Sequence, residues 1–233
     1  MKDIKGIVFD KDGTLFDFAK TWEAWARSFL LRLCDGDLVR AAQIGKVIEF
    51  DLETNRFAPT SVVIAGTPGE VTDALLGQFP GMARATLHDV LNEEAEKAPQ
   101  ETVIPLRPFL EGLRERGIAL GVATNDAEKP ARAHLDAAGV TELFDFIAGY
   151  DSGFGGKPQP GQLLGFAQAV NLDPADCIMV GDSTHDLRAG AAAGMTRIAV
   201  LTGLASERDL APFADVVLPD IGHLPRWLDA RQG

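Results

Sequence analysis

Short apolar segments alternate with helical segments along the second half of this 233-residue chain, and this alternation restricts the fold more than any other feature. Segments typical of buried strands occur at 7–9, 118–123, 146–148, 177–180, 196–201 and 216–218. Several helical segments between them end at a glycine in the C-cap position, as at Gly117, Gly139 and Gly194. This order predicts an α/β fold, in which one parallel sheet is covered by helices on both faces.

Residues suited to metal and phosphoryl chemistry stand where these predicted strands end. In chain order they are Asp10, Asp12, Thr124, Asn125, Lys157, Asp182 and Asp186, with Lys157 in the loop after the third strand. Ligands of parallel sheets bind in the crevice beyond the carboxyl ends of the strands, so we expect these side chains to converge. Carboxylates are the oxygen ligands that Mg²⁺ requires, while hydroxyl, amide and ammonium groups donate to phosphoryl oxygens.

Each of these residues also has an ordinary structural interpretation. Lys157 fits a solvated loop lysine, Thr124 a helix N-cap, and the acids after the fourth strand a capping turn. Two aspartates as close as Asp10 and Asp12, however, require a cation between them or a proton on one of them. The appearance of all seven residues at strand ends favours a functional site.

Residues 16–101 differ from the rest because they show helical patterns and no clear buried strand. Their first helix carries an aromatic stripe at spacings of four, three and four, formed by Phe18, Trp22, Trp25 and Phe29. We interpret this stripe as core-facing rather than ligand-stacking. Residues 67–70 predict a capping box that begins a helix running towards residue 79, and residues 83–98 predict another helix. Residues 53–56 resemble a turn between two short extended pieces.

Composition and charge narrow the classes of partner. The formal net charge of −12 argues against nucleic acid and against an anionic membrane surface, because both would repel the chain. Hydrophobic residues make up 46% of the chain, enough for a substantial core, and no apolar stretch is long enough for a membrane span. Cys34 and Cys177 are far apart and indicate neither a zinc site nor a disulfide framework, so we expect a cytoplasmic protein.

Four motifs in this chain resemble those of the haloacid dehalogenase superfamily, whose phosphohydrolases use an aspartate nucleophile. They are the segment Asp10-Lys11-Asp12-Gly13-Thr14-Leu15, the pair Thr124-Asn125, the pair Lys157-Pro158, and the segment Gly181-Asp182-Ser183-Thr184-His185-Asp186. The helical insertion is similar in position to the mobile cap of the subgroup that includes phosphoglycolate phosphatase and β-phosphoglucomutase. The resemblance therefore implies a Rossmann-like catalytic core from residues 1–15 and 102–233 and a helical cap domain from residues 16–101.

The same resemblance implies roles for the acids. Asp10 would attack phosphorus and form an aspartyl-phosphate, and Asp12 would protonate the leaving alcohol and later take a proton from water. Mg²⁺ would be held by Asp10, Asp182 and the backbone carbonyl of Asp12, and Asp186 would support the metal or its waters.

Thr124, Asn125 and Lys157 would bind the phosphoryl oxygens, and Lys157 would also keep Asp10 ionised.

An acid at position 12 argues against dehalogenation, because halide leaves without a proton. The expected substrate is a small phosphorylated metabolite, with phosphoglycolate first by resemblance, and the expected assembly is a monomer or homodimer. A sugar phosphomutase would use the same residues. A receiver-like signalling module is the competing class, although receivers have no cap.

The remaining histidines and two cap arginines are weaker candidates. His185 lies between two acids, but the role of acid is already filled by Asp12. We expect the other three histidines to be surface or packing residues; they are His88, His134 and His223. Arg56 and Arg84 are the cap cations to test for recognition of a substrate carboxylate or sugar.

Overall fold

The computed structural model describes residues 4–58 and 60–232, in which strands and helices alternate as the sequence predicts. The strands are β1 (Gly6–Phe9), β2 (Phe50–Asp51), β3 (Arg56–Phe57), β4 (Ala119–Ala123), β5 (Phe146–Ala148), β6 (Cys177–Gly181), β7 (Thr196–Val200) and β8 (Val216–Leu218). The α-helices are α1 (Phe18–Leu33), α2 (Leu38–Gly45), α3 (Val62–Ala65), α4 (Pro68–Leu76), α5 (Arg84–Glu96), α6 (Leu106–Glu115), α7 (Glu128–Ala137), α8 (Gly161–Ala169), α9 (Thr184–Ala193), α10 (Glu207–Leu210) and α11 (Leu224–Gln232).

Six strands form one parallel sheet in the order β5-β4-β1-β6-β7-β8. β1 lies near the centre, with β4 on one side and β6 on the other, so the chain order reverses at β1. Such a reversal opens a crevice at the carboxyl ends of the neighbouring strands. The parallel sheet predicted from the sequence is confirmed.

Helices cover both faces of the sheet because alternate residues of each strand point in opposite directions. Ile7 and Phe9 of β1 belong to a hydrophobic cluster that includes residues of α6 and α11, whereas Val8 belongs to a second cluster that includes Phe166 of α8 and Ala189 of α9. The near-continuous apolar strands thus bury both of their faces, which is typical of parallel sheets.

The inserted segment has a hydrophobic cluster of its own, whose buried members all fall between residues 18 and 98. The Thr67 side chain accepts from the Glu70 backbone N–H, and the Glu70 carboxylate accepts from the Thr67 N–H, which confirms the capping box. The helix that it begins ends at Leu76, three residues before the predicted stop, because residues 77–79 continue as a turn. The predicted extended pieces are the short hairpin of β2 and β3. The exact cap boundaries at residues 15 and 102 stay a prediction.

Among the described residues, no helix combines the length and the apolar character needed to cross a membrane.

Candidate active site

The three central strands deliver polar residues to one edge of the sheet. β1 ends before Asp10, β4 before Thr124, and β6 at Gly181, so Asp182 follows directly. All three side chains are buried, although each sits beside the pocket between the sheet and the inserted helices. The convergence expected from the strand order is thus present in the structure.

Lys157 links the first and fourth motifs. Its Nζ lies 2.5 Å from Asp10 Oδ1 and 2.7 Å from Asp186 Oδ1, although the three residues are far apart in sequence. Burial opposes the charge on this ammonium, but Asp10 and Asp186 outweigh it and raise the pKa of Lys157. Lys157 is therefore a fixed positive charge beside the predicted nucleophile and not a solvated loop lysine.

Asp10, Asp182 and Asp186 form a buried acidic cluster in which one carboxylate oxygen of each lies within 4.8 Å of the others. Burial raises the pKa of Asp10 to about 7, because the attraction of Lys157 is offset by Asp186 and Asp12. Burial, followed by repulsion from Asp10 and Asp186, also raises the pKa of Asp182.

Three carboxylates around a single ammonium leave an excess of negative charge in a buried position, and a divalent cation would neutralise it. The donor set consists of carboxylate oxygens, which suit a hard ion such as Mg²⁺. This cluster could therefore hold the metal that the sequence motifs predict.

Two glycines make room for the Asp182 carboxylate. A Cβ built on Gly13 would lie 2.4 Å from Asp182 Oδ2, and Gly13 has a φ of +84°, a conformation that favours glycine. A Cβ on Gly203 would lie 1.6 Å from the same oxygen. The Gly203 contact was not predicted from the sequence, because it joins the loop after β7 to the end of β6.

The Asn125 side chain holds the loop that carries Lys157. Its Oδ1 accepts from the Lys157 backbone N–H at 2.7 Å, and its Nδ2 donates to the Lys157 carbonyl at 3.0 Å. Thr124 Oγ1 accepts from the Asp126 backbone N–H at 3.1 Å. Both residues line the pocket beside Asp10, so direct binding of phosphoryl oxygens stays a prediction for them.

Asp12 faces a second buried network that the sequence did not reveal. The Nζ of fully buried Lys11 donates to Asp12 Oδ1 at 2.8 Å, lies 3.4 Å from Asp126 Oδ2, and hydrogen-bonds His134 Nδ1 at 2.9 Å. Burial lowers the pKa of Lys11, but Asp12 and Asp126 more than compensate and raise it overall. Burial raises the pKa of Asp126 to about 6, against the attraction of Lys11.

His134 joins this network to the inserted segment. Its Nε2 donates to the Ala95 carbonyl of α5 at 2.7 Å, so its Nδ1 accepts from Lys11. Burial and the neighbouring Lys11 charge lower the pKa of His134 from 6.5 to about 4, which keeps the ring neutral near pH 7. His134 is a packing residue as expected, but it also connects the sheet to the cap.

A pocket lies between the sheet edge and the inserted helices. Its sheet side carries the predicted site residues, which are Asp10, Asp12, Thr124, Asn125, Lys157, Asp182 and Asp186. Its other side is formed by α1, α3, α4 and α5 and includes Phe18, Trp22, Trp25, Val63, Val71, Leu91 and Asn92. The aromatic stripe is buried in the hydrophobic cluster of the insertion, as predicted, yet three of its four residues also reach the pocket.

The histidines and the two cap arginines differ in whether they line the pocket. His185 lines the pocket, whereas His88 bonds Thr72 and the Tyr150 hydroxyl, and His223 lies 3.0 Å from Asp220 at the surface. The two cap arginines, Arg56 and Arg84, are not among the residues that line the pocket.

A family model for haloacid dehalogenase-like hydrolases matches residues 4–194. The chain belongs to this family. A phosphoglycolate phosphatase of Nitrosospira multiformis is 28% identical over 222 residues, which cover 94% of this chain and 92% of that protein. Pyrophosphatase PpaX of Bacillus velezensis is 27% identical, covering 91% of this chain and 90% of its own.

The solved structure of β-phosphoglucomutase from Clostridium difficile has the same fold. It matches with a TM-score of 0.69 over 98% of this chain and 99% of its own, at 19% sequence identity. The chain is thus an enzyme of the haloacid dehalogenase-like hydrolase family with a Rossmann-like core and the cap helices of its subgroup. Membership of this family argues against the receiver-like alternative.

Proposed function

We propose that this hydrolase is a Mg²⁺-dependent phosphatase that cleaves a small-molecule phosphate monoester through an aspartyl-phosphate on Asp10. The observation that carries the proposal is the arrangement around Asp10, whose carboxylate contacts Lys157 and shares a buried cluster with Asp182 and Asp186. We further propose that residues 1–15 and 102–233 form the catalytic core and that residues 16–101 form the cap.

In the first half-reaction, a carboxylate oxygen of Asp10 attacks phosphorus and the bond to the leaving oxygen breaks. Asp12 gives its proton to that oxygen, so the products are a neutral alcohol and the aspartyl-phosphate. In the second half-reaction, water attacks phosphorus, the bond to Asp10 breaks, and Asp12 takes the proton of the water. Both carboxyl groups then return to their starting states.

Lys11 orients the general acid in this scheme. Because Lys11 Nζ donates to Asp12 Oδ1, we assign proton exchange to the other oxygen, Oδ2.

Lys157 favours the ionised form of Asp10 against the effect of burial and would donate to the phosphoryl group, with Thr124 and Asn125 supplying further donors. The Asn125 side chain also fixes the loop that presents Lys157, so it contributes by positioning the ammonium.

Asp10 and Asp182 would hold Mg²⁺ with the backbone carbonyl of Asp12, and Asp186 would support the metal or its waters. When bound, the ion would offset the negative charge of the site and stabilise the charge that develops on the phosphoryl oxygens.

Several phosphate esters are substrates to test. Phosphoglycolate comes first by likeness to named relatives, and other small sugar or acid phosphates follow. A phosphomutase would use the same aspartyl-phosphate but transfer the phosphoryl group to a second hydroxyl instead of to water.

Release of phosphate from p-nitrophenyl phosphate tests the activity. We expect steady turnover with Mg²⁺, none with EDTA, and none for the isosteric variant Asp10→Asn. The same change at the surface, Asp73→Asn, serves as the matched control. Asp73 lies on α4, is exposed and forms an ion pair with Arg84. Stable phosphorylation without release of phosphate would overturn the phosphatase proposal, and transfer to an added sugar phosphate would identify a mutase.

A further inference from the structure

The pocket wall supplied by the inserted helices is mostly apolar. It presents Phe18, Trp22 and Trp25 from α1, Val63 from α3, Val71 from α4 and Leu91 from α5. The rings of Trp22 and Trp25 meet edge to face, with centroids 5.1 Å apart and an angle of 83°. This wall stands opposite Asp10, where the part of the substrate beyond the scissile bond must lie.

No lysine or arginine of the inserted segment is among the described residues that line this pocket. Among the described lining residues, Lys157 is the one lysine or arginine. It is already bound to Asp10 and Asp186. Arg56 is 70% exposed and 3.6 Å from Glu23, and Arg84 is bound by Asp73 outside the pocket.

Within the described part of the chain, a substrate carboxylate would therefore find no lysine or arginine on the cap side of the pocket. On the sheet side, the five lining aspartates supply no partner for a carboxylate, and Lys157 is already bound to two of them. Burying an unpaired carboxylate in such surroundings is strongly unfavourable.

One polar atom on the cap side lacks a partner. Asn92 of α5 is one of the lining residues, and its Oδ1 atom is buried, yet nothing in the described part of the chain hydrogen-bonds that oxygen. The Trp25 Nε1–H, by contrast, already donates to the Leu91 carbonyl at 2.9 Å. A buried acceptor without a donor is costly, so a ligand that brings an O–H or N–H would be favoured.

We propose that the preferred substrate is the phosphate monoester of a neutral, largely apolar alcohol that carries one hydrogen-bond donor for Asn92. Its carbon skeleton packs against Trp22, Trp25 and Val71, and its phosphoryl group lies at Asp10. This inference rests on the proposed phosphatase activity, and it places an apolar leaving group ahead of phosphoglycolate, which likeness to the named relatives puts first.

A pair of alkyl phosphates tests the apolar wall. Benzyl phosphate and phosphoglycolate both release a primary alcohol, but one leaving group is apolar and the other carries a carboxylate. We expect kcat/KM to be about 100-fold higher for benzyl phosphate, which corresponds to about 2.7 kcal/mol. Equal values, or a preference for phosphoglycolate, would overturn the inference while leaving the phosphatase proposal intact, provided p-nitrophenyl phosphate is hydrolysed.

A charge placed in the wall should change this preference. Ile64 of α3 lines the pocket and is only partly buried, so Ile64→Lys introduces an ammonium without emptying the core. We expect at least a tenfold gain for phosphoglycolate relative to benzyl phosphate. Val39→Lys is the matched control, because Val39 is 70% exposed on α2 and does not line the pocket. The same ratio in both variants would contradict the proposal.

The role of Asn92 is tested with isomers of hydroxymethylbenzyl phosphate and the matching methylbenzyl phosphates. We expect the wild-type enzyme to prefer at least one hydroxyl-bearing isomer, and Asn92→Leu to prefer the methyl analogue. A wild-type enzyme that prefers every methyl analogue, or a variant that keeps the original preference, would contradict the proposed hydrogen bond from the substrate to Asn92.

Discussion

Replacing His134 with glutamine should make folding less sensitive to acid. In the native protein the His134 ring is 1% exposed and accepts from Lys11 while donating to Ala95. A glutamine amide can also accept at its oxygen and donate at its nitrogen, but it does not titrate. His134→Gln thus preserves the type of hydrogen bonding and removes the ionisation.

The size of the effect follows from the pKa of His134, which falls from 6.5 in the unfolded chain to about 4 in the folded protein. Between these values the unfolded chain binds more protons, so the free energy of unfolding decreases as the pH falls. Complete protonation of His134 would lower the free energy of unfolding by about 3 kcal/mol. Lowering the pH from about 7.5 to about 5 should lower it by about 2 kcal/mol.

Urea unfolding of both proteins at the two pH values measures this loss. Asp10 and Asp126 have raised pKa values and titrate in the same range, but both proteins contain them, so their contributions cancel in the difference. We expect the wild-type protein to lose about 2 kcal/mol more than His134→Gln. An identical pH dependence in the two proteins would refute the buried, neutral state of His134.

Other perturbations probe the charge balance of the site. Gly203→Ala should raise the Mg²⁺ concentration needed for half-maximal activity at least tenfold, because its Cβ would displace the Asp182 carboxylate; Gly77→Ala, which has open space, should not. Lys157→Met should lower kcat about 100- to 1,000-fold, since it removes a charged donor from Asp10 and the phosphoryl group. Mg²⁺ binding, measured by calorimetry, should weaken as the pH falls below about 7, because protons then compete for Asp10. Mg²⁺ should also raise the melting temperature of the EDTA-treated wild-type protein, but raise that of Asp182→Asn much less.

The sheet and its polar edge could be predicted because both depend on local patterns. A buried parallel strand is a short apolar run, and the residue after it must lie at the carboxyl edge. Asp10, Thr124 and Asp182 were therefore placed correctly by strand position alone. Helix ends were predicted to within a few residues, since caps such as Thr67 are also encoded locally.

Contacts between distant segments carry no such pattern. Lys11 stands between two acids in the sequence, but its bond to His134 crosses 123 residues and depends on how α7 packs. The approach of Gly203 to Asp182 likewise exists only once two loops meet. The aromatic stripe shows a different limit, because its spacing predicts a buried face but not that Trp22 and Trp25 also border a pocket.

The central claim is that the phosphoryl group passes through Asp10, and the variant Asp12→Asn tests it most directly. p-Nitrophenolate leaves without needing a proton, so this variant should still form the aspartyl-phosphate but lack the base that activates water. Acid quenching shortly after mixing, followed by peptide mapping by mass spectrometry, should find one phosphoryl group on Asp10. Steady turnover without any phosphorylated peptide, or a phosphoryl group on another residue, would contradict the account.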